Sequence, residues 1–244
     1  MTTLQLKPER FNASEYRAHS FSLCGKSLVA DMSGALYWPG QNMLVIADMH
    51  LEKGSSYAAH GQMLPPYDTR ETLLRLARVI DIYNAETIVA LGDSFHDRAA
   101  FERMSEEDRQ ILQLIQDDRR WIWVSGNHDP DIADEAGGER VHILDIGGLT
   151  LRHDPRAGQM THEIAGHMHP AARLSLYGYG LRRPCFIGNR RRLIMPAFGS
   201  YAGGLNVLDP AFDVLFGCDG FAVWMLGEEG LYPIATRRLQ PDRG

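Results

Sequence analysis

The sequence predicts an α/β fold built on two β-sheets, and three observations support this prediction. In the first half of the chain, apolar segments of strand length alternate with segments whose apolar residues recur at helical spacing. Each apolar segment is followed by polar residues, as in open α/β sheets that bind ligands at the carboxyl ends of their strands. In the second half the helical pattern fades, and short strand candidates separated by glycine and proline dominate. We therefore expect one domain over residues 1–244, with a second, more antiparallel sheet packed on the first.

Three buried strands and two helices are predicted in the first half. The strands are residues 43–47, 87–91 and 121–124, and weaker candidates precede them at 21–30 and 35–38. The first helix begins near Asp68, because Asp68 and Glu71 have the spacing of a capping box. Ser105 is predicted to open the second helix, whose apolar residues again fall on one face.

The second half contains seven short strand candidates. Each is rich in strand-forming residues and is bounded by residues that favour turns. They are residues 141–145, 149–153, 161–165, 171–176, 193–195, 212–216 and 221–226. These segments are expected to form the second sheet.

Composition excludes several classes of protein. Hydrophobic residues make up 44% and charged residues 23%, as is typical of globular proteins. The net charge of −6 argues against a basic protein that coats nucleic acid, although a local basic groove can still attract a phosphate backbone. Cys24, Cys185 and Cys218 form no CxxC pair, which disfavours a disulfide framework or a thiolate zinc site. We find neither a signal-peptide pattern nor an apolar run of membrane-spanning length, and we expect a cytoplasmic protein with no membrane partner.

Five short motifs carry residue types that bind metals or transfer protons. They are Asp48–Met49–His50, Gly92–Asp93–Ser94–Phe95–His96–Asp97, Gly126–Asn127–His128–Asp129, His153, and Gly166–His167–Met168–His169. In the first and last motifs, alternation along an extended strand end would place both polar side chains on one side of the chain. Each motif also has an ordinary explanation, such as a helix cap or a turn residue. Because four of the five follow strand candidates, together they predict one shared site.

In this order the motifs resemble the calcineurin-like metallophosphoesterase superfamily over residues 44–170. The resemblance implies a sandwich of two mixed β-sheets flanked by helices. The sequences GDSFHDR and GHMHP are most similar to the ICC-like phosphoesterases. That group includes the ligase-associated DNA damage response endonucleases of bacterial repair gene clusters.

The resemblance implies a role for each polar motif residue. Seven residues would hold two metal ions: Asp48, His50 and His169 the first, Asn127, His153 and His167 the second, with Asp93 bridging both. His128 would contact the phosphate and be oriented by Asp129. Carboxylate, imidazole and amide ligands suit Mn²⁺, Fe or Zn²⁺, of which we expect Mn²⁺. A metal-bound hydroxide would then attack the phosphodiester without a covalent enzyme intermediate.

His96 departs from the pattern of the superfamily. Many members have GD-x-x-D in the second motif, whereas here His96 stands where the second aspartate is expected and Asp97 follows. An imidazole is a suitable general acid for the leaving group of a diester. We therefore predict that His96 is a catalytic acid, and the alternative is that it only forms a wall of the pocket.

An arginine-rich segment follows the last motif. Residues 171–208 contain six arginines and no Asp or Glu. Arginine binds phosphate through forked donors. Five of these arginines are predicted to bind DNA: Arg182, Arg183, Arg190, Arg191 and Arg192. Tyr177, Tyr179 and Phe186 could stack on the bases of a single strand. The alternatives are a solvated basic face or a contact between subunits.

Together these features predict a metal-dependent phosphodiesterase that acts as a single-strand DNA endonuclease in DNA repair. The subfamily resemblance also implies a functional association with a DNA ligase, a helicase and an exonuclease. One alternative is a phosphodiesterase or phosphatase for nucleotides or other small molecules. Another is a non-catalytic scaffold of the same fold, which the presence of every expected ligand type disfavours.

Overall fold

The computed structural model describes residues 18–62, 64–65, 67–158, 162–177 and 179–242. The segment before residue 17, which we expect to lack a signal peptide, lies outside the described residues, as does the first residue of the strand candidate 161–165. The described chain forms two mixed β-sheets flanked by helices, which confirms the predicted fold class. None of its helices combines the length and the apolar character that crossing a bilayer requires.

The first sheet contains seven strands arranged in chain order. They are β1 (His19–Leu23), β2 (Lys26–Ala30), β3 (Leu36–Trp38), β4 (Met43–Ile46), β5 (Thr87–Leu91), β6 (Arg120–Val124) and β7 (Glu139–Val141). β1 to β4 pair antiparallel, and β4 to β7 pair parallel. All of β4 is buried, as expected for a parallel strand covered on both faces. The three strands predicted with strong apolar patterns are confirmed.

Four helices follow the parallel strands of the first sheet. They are α1 (Lys53–Ala59), α2 (Asp68–Tyr83), α3 (Ala100–Arg103) and α4 (Glu106–Gln116). Ser105 caps α4 as predicted, because its hydroxyl accepts the backbone N–H of Asp108 at 3.1 Å. The prediction of a capping box at Asp68 is wrong, because Asp68 already lies within the helix. Its carboxylate accepts the backbone N–H of Gly54 at 3.0 Å.

The second sheet contains nine described strands and is mostly antiparallel, as predicted. They are β8 (Ile143–Ile146), β9 (Leu149–Arg152), β10 (Glu163–Ala165), β11 (Pro170–Leu176), β12 (Tyr179–Gly188), β13 (Arg192–Ile194), β14 (Leu205–Asn206), β15 (Ala222–Leu226) and β16 (Leu231–Ile234). β10 pairs parallel with β9 and β13, and β14 pairs parallel with β11. The other described pairs are antiparallel.

One predicted strand is a helix. Residues 212–216 belong to α5 (Pro210–Phe216), which Asp209 caps by accepting the backbone N–H of Ala211. Phe212 and Phe216 are four residues apart, so both are buried on one helical face. The candidate at 141–145 is also wrong as a single strand, because β7 and β8 divide it between the two sheets.

Three apolar cores separate the layers. Leu44 packs with Leu76 between the first sheet and its helices, whereas its neighbour Val45 faces the second sheet. Phe186 lies in the core between the sheets and is fully buried, so the expectation that it stacks on a base is wrong. α5 covers the outer face of the second sheet through Phe212. This arrangement leaves the carboxyl ends of the parallel strands open at one edge of the sandwich.

Candidate metal centre

All five polar motifs meet at that edge. Residues 48–50, 93–96 and 126–129 follow β4, β5 and β6 of the first sheet. Residues 153 and 167–169 follow β9 and β10 of the second sheet. The predicted convergence of the motifs is therefore present in the structure, and both sheets contribute to it.

The backbone that presents the first and last motifs is not extended. Asp48 and His50 have positive φ angles of 53° and 45°, and His167 and His169 have 66° and 42°. Left-handed backbone is unfavourable for residues other than glycine, so the surroundings must stabilise it. Here the Asp48 carboxylate accepts the backbone N–H of His167 at 3.0–3.1 Å. Met49, between the first two ligands, is buried in the core. The expectation of an extended strand end is thus wrong, although both pairs of side chains do face the site.

A first cluster contains Asp48, His50 and His169. Their ligand atoms lie within 4.8 Å of one another. His169 Nε2 is 3.1 Å from Asp48 Oδ1 and 3.3 Å from His50 Nε2. These are the three residues expected to hold the first metal ion.

A second cluster surrounds His153 Nε2. This atom lies 2.9 Å from Asn127 Oδ1, 3.1 Å from His167 Nδ1 and 3.4 Å from Asp93 Oδ2. The structure therefore brings together the three residues expected to hold the second ion. His153, which no local motif marks, is placed by the pairing of β9 with β10.

Asp93 lies between the two clusters. Its Oδ2 atom is 3.4 Å from His153 Nε2 and 3.9 Å from His50 Nε2. Burial opposes ionisation of Asp93, but the hydrogen bond and charge of His153 outweigh burial and hold the pKa of Asp93 below its usual range. An ionised carboxylate in this position can bridge two cations.

The contacts between ring nitrogens test whether cations fit these clusters. Two imidazole nitrogens 3.3 Å apart, such as those of His50 and His169, can share at most one hydrogen bond. His153 Nε2 is likewise surrounded by more polar atoms than one nitrogen can satisfy. Convergent lone pairs of this kind suit a cation, and the imidazole, carboxylate and amide donors are those of divalent transition metals. The residues therefore fit two metal ions.

Two glycines are required by close packing in the site. Gly92 has a φ of +78°, and a Cβ atom there would lie 2.4 Å from His153 Cγ. A Cβ atom on Gly126 would lie 2.2 Å from the backbone nitrogen of Asp93. Glycine at both positions lets the three ligand loops approach one another.

The resemblance implied that Asp129 orients His128, and this expectation is wrong. Its buried carboxylate instead accepts four backbone N–H groups, those of Asp93, Ser94, Phe95 and Gly126, at 2.7–3.1 Å. Burial raises the pKa of Asp129 to about 6, and the carboxylate remains mostly ionised at neutral pH. Asp129 therefore joins the loop after β5 to the loop after β6 and positions Asp93.

His128 and His96 form a stacked pair beside the clusters. Their ring centroids are 5.4 Å apart with an interplanar angle of 22°. His128 Nδ1 lies 2.9 Å from the carbonyl oxygen of His96, and Nε2 lies 4.0 Å from Asp93 Oδ2. His96 is half-buried, and burial lowers its pKa, with the charge of Lys53 adding to the effect. Both rings are thus next to the expected position of the phosphate.

Comparison with protein families decides the class of this site. A family model described as calcineurin-like phosphoesterase matches residues 42–177, which is more than half of the chain. The chain belongs to the calcineurin-like phosphoesterase family. This phosphoesterase is accordingly a metal-dependent phosphoester hydrolase, and the resemblance inferred from the five motifs is confirmed. No curated protein sequence gave a significant match.

Two solved structures are similar to the phosphoesterase. The crystal structure of Pseudomonas putida nuclease MPE has a TM-score of 0.68 and 24% identity, covering 89% of this chain and 100% of that chain. This likeness shows a shared fold. A protein of unknown function from Aquifex aeolicus, AQ665, has a TM-score of 0.37 and 20% identity, covering 52% of this chain and 78% of that chain.

The five arginines predicted to bind DNA lie in different parts of the structure. The prediction for Arg192 is wrong, because its side chain is 1% exposed and its Nε lies 2.8 Å from the buried Glu163 carboxylate. Its guanidinium also donates to the carbonyl groups of Arg156 and Leu215. A guanidinium enclosed in this way cannot reach DNA.

Arg190 and Arg191 precede β13, which runs parallel to β10. They therefore lie at the amino-terminal edge of these strands, opposite the edge that carries His167. Arg191 Nη1 is 3.3 Å from Asp219 Oδ2. Contact between these two arginines and DNA stays a prediction, and it would be remote from the metal ligands.

Arg182 and Arg183 are near the metal-binding residues of the phosphoesterase. Both line a cavity that also includes His169. Tyr177 and Tyr179, expected to stack on bases, are 98% and 81% exposed at the turn between β11 and β12. A third arginine of the cavity, Arg75 on α2, was not predicted. Its sequence signal is weak: Arg75 lies three residues after Thr72 and four before Val79, which are both buried on α2.

Proposed function

We propose that this phosphoesterase is a Mn²⁺-dependent phosphodiesterase that cleaves single-stranded DNA internally. One observation supports it above the others: two ligand clusters share Asp93 beside a cavity lined by Arg182 and Arg183. Two divalent cations bound there would polarise the phosphoryl group and activate water near neutral pH.

The side chains of the clusters have distinct tasks in this proposal. Asp48, His50 and His169 would hold one ion, and Asn127, His153 and His167 would hold the other, with Asp93 contributing to both. Asp129 keeps Asp93 in place through the backbone of its loop.

His128 is the contact for the phosphate. Its side chain is 41% exposed, so a substrate can reach it. Its Nδ1 lies within hydrogen-bonding distance of the His96 carbonyl, and its Nε2 lies 4.0 Å from Asp93 Oδ2 in the centre. Protonated His128 would therefore donate from Nε2 to a phosphoryl oxygen and stabilise the charge of the transition state.

His96 is the proposed acid for the leaving group. Its ring is stacked on that of His128 and lies 5.7 Å from the ring of His50, between centroids. Because burial lowers the pKa of His96 in the free protein, its proton must be stabilised by the negative charge of the bound diester. Donation of that proton to the departing oxygen would favour cleavage of unactivated diesters.

DNA is proposed as the substrate for two reasons. The fold is similar to that of the Pseudomonas putida nuclease MPE. The second motif and the GHMHP sequence resemble those of the ligase-associated DNA damage response endonucleases. Association with repair enzymes stays a prediction from this second resemblance.

Circular single-stranded DNA tests the proposal. The purified protein with Mn²⁺ should convert the circle to linear strands, since a circle offers no end to an exonuclease. A mononucleotide, a phosphomonoester and an Asp93→Asn variant serve as controls. An intact circle together with efficient hydrolysis of a small diester or monoester would contradict the proposed function. That outcome would instead favour a phosphodiesterase or phosphatase for small molecules.

A further inference from the structure

A cavity beside the metal centre has a strongly basic wall. Its volume is about 250 Å³, and His169 lines it on the side of the first ligand cluster. Arg75, Arg182 and Arg183 also line it, and no carboxylate does among the described residues. The guanidinium groups of Arg75 and Arg182 would attract an anion to this small cavity.

Arg75 is held in place by the polypeptide that follows β13. Its guanidinium carbon lies 4.5 Å from the ring centroid of Phe198, and the group donates to the Phe198 carbonyl. Phe198 in turn donates its backbone N–H to Ala47, next to the ligand Asp48. This arginine is therefore fixed relative to the metal centre, and its charge adds to the basic wall of the cavity.

Arg182 has a partner that an anion could replace. Its Nε is 3.0 Å from Asp242 Oδ1, and the Asp242 carboxylate is 42% exposed. Ion pairs this exposed contribute little to stability, because solvent screens them. Arg183, the next residue of β12, points to the opposite face of the sheet, where its Nη2 is 2.9 Å from Glu228 Oε1. A phosphate in the cavity that accepts two hydrogen bonds from the fork of Arg182 is therefore a competitive alternative to Asp242.

We propose that this cavity is a second phosphate subsite, which binds the phosphate next to the one hydrolysed in a polynucleotide. This inference rests on the proposed function. His169 belongs both to the first ligand cluster and to the cavity wall, so the two phosphates would be neighbours. The cavity is smaller than typical small-molecule sites of roughly 300–1,000 Å³, so it suits a phosphate and part of its sugar. The subsite would favour substrates with two phosphates one nucleoside apart.

Calorimetric binding of two nucleotides tests this subsite without requiring catalysis. Thymidine 3′,5′-bisphosphate carries two phosphates one nucleoside apart, whereas thymidine 5′-monophosphate carries one. The wild-type protein with Mn²⁺ should bind the bisphosphate at least tenfold more tightly. The Arg182→Gln variant should lose this preference and bind the monophosphate as the wild type does.

Arg120→Gln is the matched control. Arg120 also forms an exposed ion pair, with Glu139 at 2.8 Å, but it begins β6 at the edge opposite the metal centre. This variant should keep the tenfold preference, and thermal melting should show that all variants are folded. Equal binding of the two nucleotides by the wild type, no binding of either, or a preference retained by Arg182→Gln would overturn the subsite. An intact DNA circle with the preference present would count against the proposed function alone.

Discussion

The Nε2 atoms of His50 and His169 face each other at 3.3 Å, although the two residues are 119 positions apart in the chain. Burial lowers the pKa of His50 to about 3, with the charge of His169 adding to the effect. The two rings therefore cannot both be protonated. Their shared orientation toward Asp48 is explained by a cation between them.

Replacing His50 with Gln should remove one ion and leave the other. The first cluster would lose one of its three terminal ligands, whereas the cluster around His153 would stay complete. We expect metal analysis after dialysis to give close to one ion per chain, against two for the wild type, and hydrolysis to fall at least about 100-fold. His60→Gln, at the exposed end of α1, is the control. Retention of two ions by His50→Gln would contradict the assignment.

Replacing Gly92 with Ala should damage the second cluster. Its Cβ atom would lie 2.4 Å from His153 Cγ, so the imidazole must move away from Asn127. Gly148→Ala separates this collision from backbone strain, because Gly148 has a φ of +80° with no atom within 4 Å of the added Cβ. We expect Gly148→Ala to cost only about 1 kcal/mol in free energy of unfolding and to keep both ions. Metal content equal in the two variants would show that the packing of Gly92 against His153 is unimportant.

Replacing Asp129 with Asn should destabilise the loops around Asp93. The amide NH₂ would face backbone N–H groups that now donate to a carboxylate oxygen. Each buried donor left without an acceptor costs about 1–3 kcal/mol, so we expect the melting temperature to fall by at least about 4 °C. Asp131→Asn is the control, because the Asp131 side chain is 81% exposed. An unchanged melting temperature for Asp129→Asn would refute the positioning role.

Metal affinity should increase with pH. The hydrogen bond and charge of Asp93, with the charge of Asp48, outweigh burial and raise the pKa of His153 to about 9. At neutral pH a cation must therefore displace a proton from His153. The hydrogen bond and charge of Asp48 likewise outweigh burial and raise the pKa of His169. We expect the apparent affinity for Mn²⁺ to rise at least about tenfold per pH unit from pH 6.5 to 8.5.

Calorimetry in buffers of different ionisation enthalpy can count the protons released on metal binding. His50 should release none in this range, because its pKa is already low. In the metal-free protein the paired His153 stabilises the fold fully below its ordinary pKa, and this contribution is lost as the pH rises through about 9. An affinity for Mn²⁺ that does not change with pH would exclude a protonated His153.

Replacing His96 with Ala should affect substrates according to their leaving groups. DNA has a poor leaving group that needs a proton, whereas bis(4-nitrophenyl) phosphate does not. We expect kcat on DNA to fall about 100-fold and kcat on the aryl diester to change little, with both ions retained. Equal activity on DNA would support the alternative that His96 only lines the pocket. Equal losses on both substrates would point to a damaged metal centre.

Much of the site could be predicted from local patterns. Strong apolar runs marked β4, β5 and β6, and the polar residues after them were expected at one edge, since parallel strands end together. His153 could be assigned only through the family resemblance, because its neighbours carry no ligand type at fixed spacing. α5 was misread because residues 212–216 fit a strand pattern as well as a helical one.

The amino-acid sequence determined which types of metal ligand are available and which strand ends present them, because both depend on residues that are neighbours in the chain. Tertiary structure decided the rest. Arg192 is buried against Glu163 because β13 pairs with β10, and Asp129 reaches the loop of Asp93 because β5 pairs with β6. Arg75 and His169 meet in one cavity although they belong to distant segments. Such contacts depend on how sheets and helices pack, a property that no local stretch of sequence contains.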